Sequence, residues 1–214
     1  MAQSREIVEL FLEGARVVSE AVADPAVVAA WDRPSVLEEQ LVSGLAGHLA
    51  RGGVWAVGEY LDAGTPAGPV DFESAGQYFA AFAASASPDD HRAIRDRGVT
   101  VASIGHEALV ETLHTRLDAL TERLKALDGS QLIAVIAGKV LRLNDYLTTR
   151  IVEQTVHLDD LARSVGRDPW PIPPEAQALT ISVGTEIACL TTGTTALIRA
   201  LYRRGLAAEA LPVL

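Results

Sequence analysis

An all-α fold, an up-and-down four-helix bundle with extra short helices, is what this 214-residue sequence predicts. Three observations carry that reading: long segments of helical periodicity, recognisable caps at their ends, and breaks that fall on proline and glycine clusters. No convincing sheet pattern competes with them. With 49% hydrophobic residues the chain can bury a substantial core, and one domain spanning residues 1–214 is the expectation.

The first helix is expected from about Ser4 to Ala23, ending before Asp24-Pro25 because the residue preceding proline disfavours helical backbone. The second opens at Ser35, where Ser35 and Glu38 have the spacing of a capping box, and runs to Leu61. Glycines at 44, 47, 52, 53 and 58 weaken it and permit close backbone approach. A loose stretch follows over Ala63 to Asp71, then a short helix near Ser74 to Ala84. Ser87-Pro88-Asp89-Asp90 is a clear start for a third long helix, read as reaching Leu127 before Asp128-Gly129-Ser130 ends it. Residues 131–143 carry β-branched side chains and are compatible with a short extended piece, which periodicity alone does not decide. Asn144 caps the next helix, closed at Val165 by Gly166, and Pro173-Pro174 introduces the last, ending near Gly205.

Charge narrows the function classes. With 28 acidic against 18 basic residues the net charge is -10, which repels phosphate backbones and anionic lipid. Nucleic acid and membrane are therefore not expected partners. The most apolar stretch, Ala178 to Tyr202, contains Glu186 and five threonines and reads as a core helix rather than a bilayer span. The lone cysteine, Cys189, has no internal partner, and the N-terminus has no basic-then-apolar pattern, so a reducing cytoplasmic setting is expected. No Walker or dinucleotide fingerprint is present.

On the helix that starts at Asn144, Tyr146, Arg150, Glu153 and His157 form a stripe beside the apolar face. Glu153 and His157, at i and i+4, can place a carboxylate and an imidazole on one ion, or Arg150 and Glu153 can form a surface ion pair beside an exposed histidine. On the second helix Leu41, Leu45, His48, Gly52 and Trp55 share a face. His48 there is either a core histidine with a carbonyl partner or a third ligand, as bundle cores build metal sites from facing helices. A His₂Glu set leaves a coordination position open.

These residues also carry a resemblance. WDRPSVLEEQLVSGLAGHLAR, Trp31 to Arg51, and RIVEQTVHLDDLA, Arg150 to Ala162, resemble two signatures of the mycothiol-dependent maleylpyruvate isomerase N-terminal family within the DinB-like superfamily. The resemblance implies a DinB-like bundle with His48, Glu153 and His157 as ligands of a divalent metal, zinc before nickel or manganese. It also implies mycothiol as co-substrate in a thiol-dependent isomerase or S-transferase. The alternative is a non-catalytic metal-binding or interaction bundle, marked by a fourth protein ligand such as His106 or His114.

Asp160 is a candidate to support a ligand imidazole, and Tyr146, Arg150 and Trp55 are candidates on the substrate side, with Arg150 either holding a carboxylate or orienting Glu153. Expected partners are a small thiol and a small substrate, with a homodimer left open. Glu111-x-x-His114 has di-iron spacing but no second copy, and reads with His106 as a polar helix face. Cys189 reads as an inert core residue.

Overall fold

The computed structural model describes residues 2–205 and 211–213. Helices dominate, and the one sheet among the described residues is a two-stranded hairpin. The bundle is built from α1 (Ala2–Val22), a composite second helix, α7 (His106–Lys125) and α8 (Leu143–Val165). The composite helix consists of α3 (Val42–His48), a π-helical segment (Leu49–Trp55) and α4 (Ala56–Asp62). α1 packs on α7, α8 and the π segment, and the π segment on α7 and α8. α7 shows how the sequence makes its face: Leu109, Leu113, Leu117, Leu120 and Leu124 recur at three- and four-residue steps, and all are buried. They meet Phe11, Leu45, Leu49, Leu147, Ile151 and Leu158 in one continuous core.

Outside this core lie α2 (Pro25–Ala29), α5 (Ala75–Ser85), α6 (Pro88–Ala102), α9 (Pro174–Thr191) and α10 (Thr194–Tyr202). α5 and α9 pack on each other and on α8, while α6 crosses α3. No helix among the described residues is long and apolar enough to cross a membrane.

Several boundaries depart from the sequence reading. The second helix starts at Val42, not Ser35. Ser35 Oγ accepts instead from the Leu37 amide two residues on (3.1 Å), Ser35 N–H donates to the Gln40 carbonyl (2.9 Å), and Pro34 bridges Leu41. A local turn takes the donors and acceptors a capping box would need. Leu41 therefore precedes the helix and is 44% exposed, off the face that carries His48. The third long helix is two, α6 and α7, separated where Gly105 takes φ +92°. Residues 131–143 form β1 (Leu132–Ala134) and β2 (Val140–Arg142), paired antiparallel, so this segment is a hairpin rather than a single crossing piece. β2 runs straight into α8, which places the helix cap at Arg142 and Asn144 inside the first turn. Gly166 closes α8 in the left-handed conformation as expected, but the last helix breaks again at Gly193.

α3 and α6 meet backbone to backbone. A Cβ on Gly47 would run into the Gly98 carbonyl, and one on Gly98 would lie 2.5 Å from the Gly44 carbonyl oxygen and 3.2 Å from His48 Cβ.

The crossing makes an opposed pair of expectations. Gly47→Ala should destabilise the fold by about 1–3 kcal/mol from overpacking, because the clash outweighs the ~1 kcal/mol that alanine gains in helix propensity. Gly58→Ala, with nothing within 4 Å of the added methyl, should stabilise by roughly 0.5–1 kcal/mol. Urea denaturation of both variants decides it, and a stabilised Gly47→Ala would show that the two backbones are not in contact.

Candidate metal centre

The π segment is the local device that shapes the site. Widening the helix by one residue per turn turns carbonyls out of the ordinary ladder, and adjacent Gly52 and Gly53 lower the cost of doing so. Those carbonyls are taken up by α8: Arg150 Nη1 donates to Gly52 O (2.8 Å) and Gln154 Nε2 to Gly53 O (2.9 Å). Gly52 also leaves room for the His48 ring, whose nearest atom would lie 3.3 Å from an added Cβ. Thus α8 and the π segment are tied together on either side of the position where His48 faces Glu153.

Glu153 Oε2 lies 3.0 Å from His48 Nε2 and 3.5 Å from His157 Nε2. The two imidazoles stand edge to face, centroids 4.9 Å apart at 90°. One ligand atom from each of the three residues falls within 4.8 Å of the others, the arrangement of a group that could hold a metal ion. Tetrahedral ligands at ~2.0–2.1 Å from zinc stand about 3.3 Å apart, and the observed 3.0 and 3.5 Å separations straddle that value. The donor set, two imidazole nitrogens and a carboxylate, fits a borderline divalent ion. Among the described residues no fourth His, Cys, Asp or Glu joins the group.

Around it, Asp160 Oδ2 lies 3.0 Å from His157 Nδ1, while Asp159 points outward, exposed. An Nδ1–H donated to Asp160 directs Nε2 inward, where its lone pair would be exposed to an ion once Nε2 is deprotonated. Arg150 is buried and fully engaged: Nε donates to Thr149 Oγ1 (3.0 Å), Nη1 to Gly52 O, and Nη2 lies 4.0 Å from Glu153 Oε1. The sequence alternative of a surface Arg150–Glu153 pair gives way to a buried one. The Arg150 guanidinium also lies over the ring of buried Tyr146, 4.8 Å from its centroid.

Trp55 is in the core under the guanidinium of Arg116 (4.9 Å), away from the cluster's clefts. His106 Nε2–H donates to Val22 O (2.8 Å), and the ring packs edge-on against Trp31. His106, Glu111 and His114 line a shallow surface depression outside the metal group. Cys189 is half-buried beside Ala188 and Leu197.

The electrostatics are coupled. Burial pushes the Glu153 carboxyl up, but hydrogen bonds to His157 and His48 and the charge of Arg150 outweigh it and hold Glu153 well below the usual carboxylate range. Burial pushes His157 down, yet its bonds to Asp160 and Glu153 lift it to about 9. Burial raises the Tyr146 and Tyr78 phenols above their ordinary value.

Two clefts meet at the cluster. One, about 650 Å³ including its mouth, is lined by Tyr60, Tyr78, Tyr146, Arg51, Arg97 and Arg150. The other, about 1520 Å³ likewise measured, is lined by Gln40, His91, Arg95, Val156, His157 and Asp160. His48, Glu153, Phe79, Phe82 and Ile94 belong to both. Sequence reasoning missed Tyr60, Tyr78, His91 and Arg97. The one usable signal was that His91, Ile94, Arg95 and Gly98 share a face of α6 at three- and four-residue steps.

A pH dependence follows for the metal-free protein. Because the folded pKa of His157 is raised from 6.5 to about 9, its contribution is complete below pH ~6.5 and is lost as pH rises through about 9. Asp160→Asn should weaken that contribution, so the stability gap between wild type and Asp160→Asn should be widest below pH ~6.5 and narrow towards pH ~9 and above. Denaturation across that range measures it, and a gap independent of pH would show that Asp160 does not hold the proton on His157.

Comparison with known proteins returns no match among curated proteins or solved structures. The profile of one family does match, over residues 11–162, which contain both histidines and the glutamate of the cluster. On that match, and with a helical bundle to agree with it, the chain belongs to the mycothiol maleylpyruvate isomerase N-terminal domain family.

Proposed function

We propose that the protein is a divalent-metal-dependent enzyme of the thiol-dependent isomerase or S-transferase type, with His48, Glu153 and His157 as metal ligands and a low-molecular-weight thiol such as mycothiol as co-substrate. The observation that carries this reading is the convergence of three ligand atoms with no fourth among the described residues, which leaves a coordination position for an exogenous ligand. Family membership supplies the thiol. Zinc suits the donors best, with nickel and manganese as the other candidates. When bound, such an ion supplies Lewis acidity that favours a thiolate over a thiol at neutral pH.

The chain's own residues do the rest by orientation. Asp160 fixes the His157 ring so that Nε2 faces Glu153. Arg150 braces Glu153 from one side and the Gly52 carbonyl from the other, which joins the two ligand-bearing helices at one guanidinium. That bracing role leaves Arg150 little capacity to bind a substrate carboxylate as well. Phe79 and Phe82, shared by both clefts, keep the ground around the cluster apolar and strengthen charge interactions there.

Purified without chelators, the protein should hold close to one divalent ion per chain by elemental analysis. His48→Ala or His157→Ala should abolish tight binding, since two ligands are too few, while His106→Ala and His114→Ala should leave the stoichiometry unchanged. Failure to take up zinc, nickel or manganese on reconstitution removes the metal reading.

With the metal established, the thiol is tested by cobalt substitution. Mycothiol should add a sulfur-to-metal charge-transfer band, in a Cys189→Ser background to exclude the protein's own thiol, and the band should fade as pH falls because protons compete for the thiolate and the histidines. A cobalt spectrum that no thiol alters at any pH where the fold persists leaves a non-catalytic metal-binding bundle as the function.

A further inference from the structure

One buried amide beside the cluster is only half used. Gln154 follows Glu153 in sequence, is 1% exposed and lines neither cleft. Its Nε2 donates to Gly53 O of the π segment (2.9 Å) and to Phe11 O of α1 (3.4 Å). Its Oε1 is buried as well and has no hydrogen-bond partner among the described residues. Exchanging the two amide atoms would set an oxygen against both carbonyls, so the donor belongs where it stands. Room for the unpaired oxygen comes from α1, where a Cβ on Gly14 would run into it.

An unpaired buried acceptor carries a cost that an apolar side chain of the same size avoids. What the amide supplies in return is its donor, directed at a carbonyl that the widened helix has released. Gly53 lies five residues after His48, and Gly52 is the floor under the His48 ring. Arg150 holds the Gly52 carbonyl from the cleft side, so two donors of α8 grip consecutive residues of the π segment. A segment that tightened to the ordinary ladder would have to absorb one residue elsewhere. That would turn His48 by about 100° relative to the residues beyond the segment. Holding the Gly53 carbonyl keeps the wide turn, and with it the direction from which His48 Nε2 meets Glu153 at 3.0 Å.

We propose that Gln154 is a positioning residue for the cluster: touching neither ion nor substrate, its amide holds the π form of Leu49–Trp55 and so sets the facing of His48 towards Glu153. The grip on the π segment stands apart from the metal reading, and the consequence for metal affinity rests on that reading.

Gln154→Met keeps the volume and removes the amide. Zinc affinity, measured by competition with a chromophoric chelator, should fall by about tenfold or more, as happens when a group that orients a ligand is lost. The visible spectrum of the cobalt-substituted protein should change with it. The urea midpoint should move little, because one unpaired buried oxygen, Oε1, is exchanged for another on Gly53. In chelator-treated protein, hydrogen exchange should quicken at residues 49–56 and stay as in wild type along α7. A second pair of variants tests the same contact from α1. Gly14→Ala should lower zinc affinity in the wild-type background and leave it unchanged in a Gln154→Ala background, where the added methyl has space.

Zinc affinity and a cobalt spectrum equal to those of wild type in Gln154→Met overturn the proposal. So do additive effects of Gly14→Ala and Gln154→Ala, or exchange that quickens in α7 as much as at residues 49–56, since either makes Gln154 a packing residue only. Should Gln154→Met fail to fold, the Gly14→Ala comparison decides. Failure of the metal reading is distinguishable: wild type would then take up no ion, and unchanged exchange at residues 49–56 in Gln154→Met would by itself overturn the role given to Gln154.

Discussion

The contact between the backbones of α3 and α6 at Gly44, Gly47 and Gly98 is the constraint from which the site follows. Two helices normally stand 8–10 Å apart because side chains separate them. Here glycine lets a carbonyl of one helix lie where a side chain of the other would be, and His48, one residue beyond Gly47, is pressed by Gly98 towards α8. The π segment begins at the very next residue, Leu49. Its glycines give the imidazole a floor at Gly52 and supply carbonyls that Arg150 and Gln154 capture. Position of the histidine, irregularity of the helix and docking of α8 are thus consequences of the same scarcity of side chains.

Glu153 is the most expensive group in this arrangement, an ionised carboxylate only 19% exposed. Such a charge is tolerated only when neighbours return the lost hydration. Two imidazoles and a guanidinium do so, and because each comes from a different turn or helix, the carboxylate becomes the knot between α3, the π segment and α8. The bidentate reach of Arg150 explains why an arginine and not a lysine stands there, since one planar group meets a carbonyl and a carboxylate at once.

What was legible in the sequence was periodicity and short motif. α7 and α8 could be read from leucine spacing, the α8 stop from Gly166, and the start of α6 from Ser87-Pro88, whose capping box forms with Asp90. The metal cluster was legible as an i, i+4 pair plus an inward histidine, and Asp160 as its nearer carboxylate. What failed were features decided by partners far away in the chain. Ser35 lost its cap to a turn closed by Gln40 and Leu41, and Asn144 lost its cap role to a hairpin that delivers the chain already oriented. Arg97 carries no motif at all. That it lines the cleft beside the cluster is a property of packing that no spacing rule encodes.

Charge balance gives the last step. In the metal-free cluster the raised pKa of His157 favours its protonated form near neutrality, beside Glu153 and Asp160, while Arg150 lies next to Glu153. His48, Glu153 and His157 would hold a divalent ion through the His157 Nε2 lone pair, so binding would displace the proton that His157 carries. Exchanging that proton for a divalent ion would make this partly desolvated setting more positive. Such a site favours an anion over water as its next ligand. Most of the surface of a chain with a net charge of -10 repels anions, so the clefts on either side of Glu153 stand out as places where an anionic ligand meets a matching field. Among the described residues Arg97 in the smaller cleft has no ion pair, whereas Arg95 in the larger one pairs with Glu39.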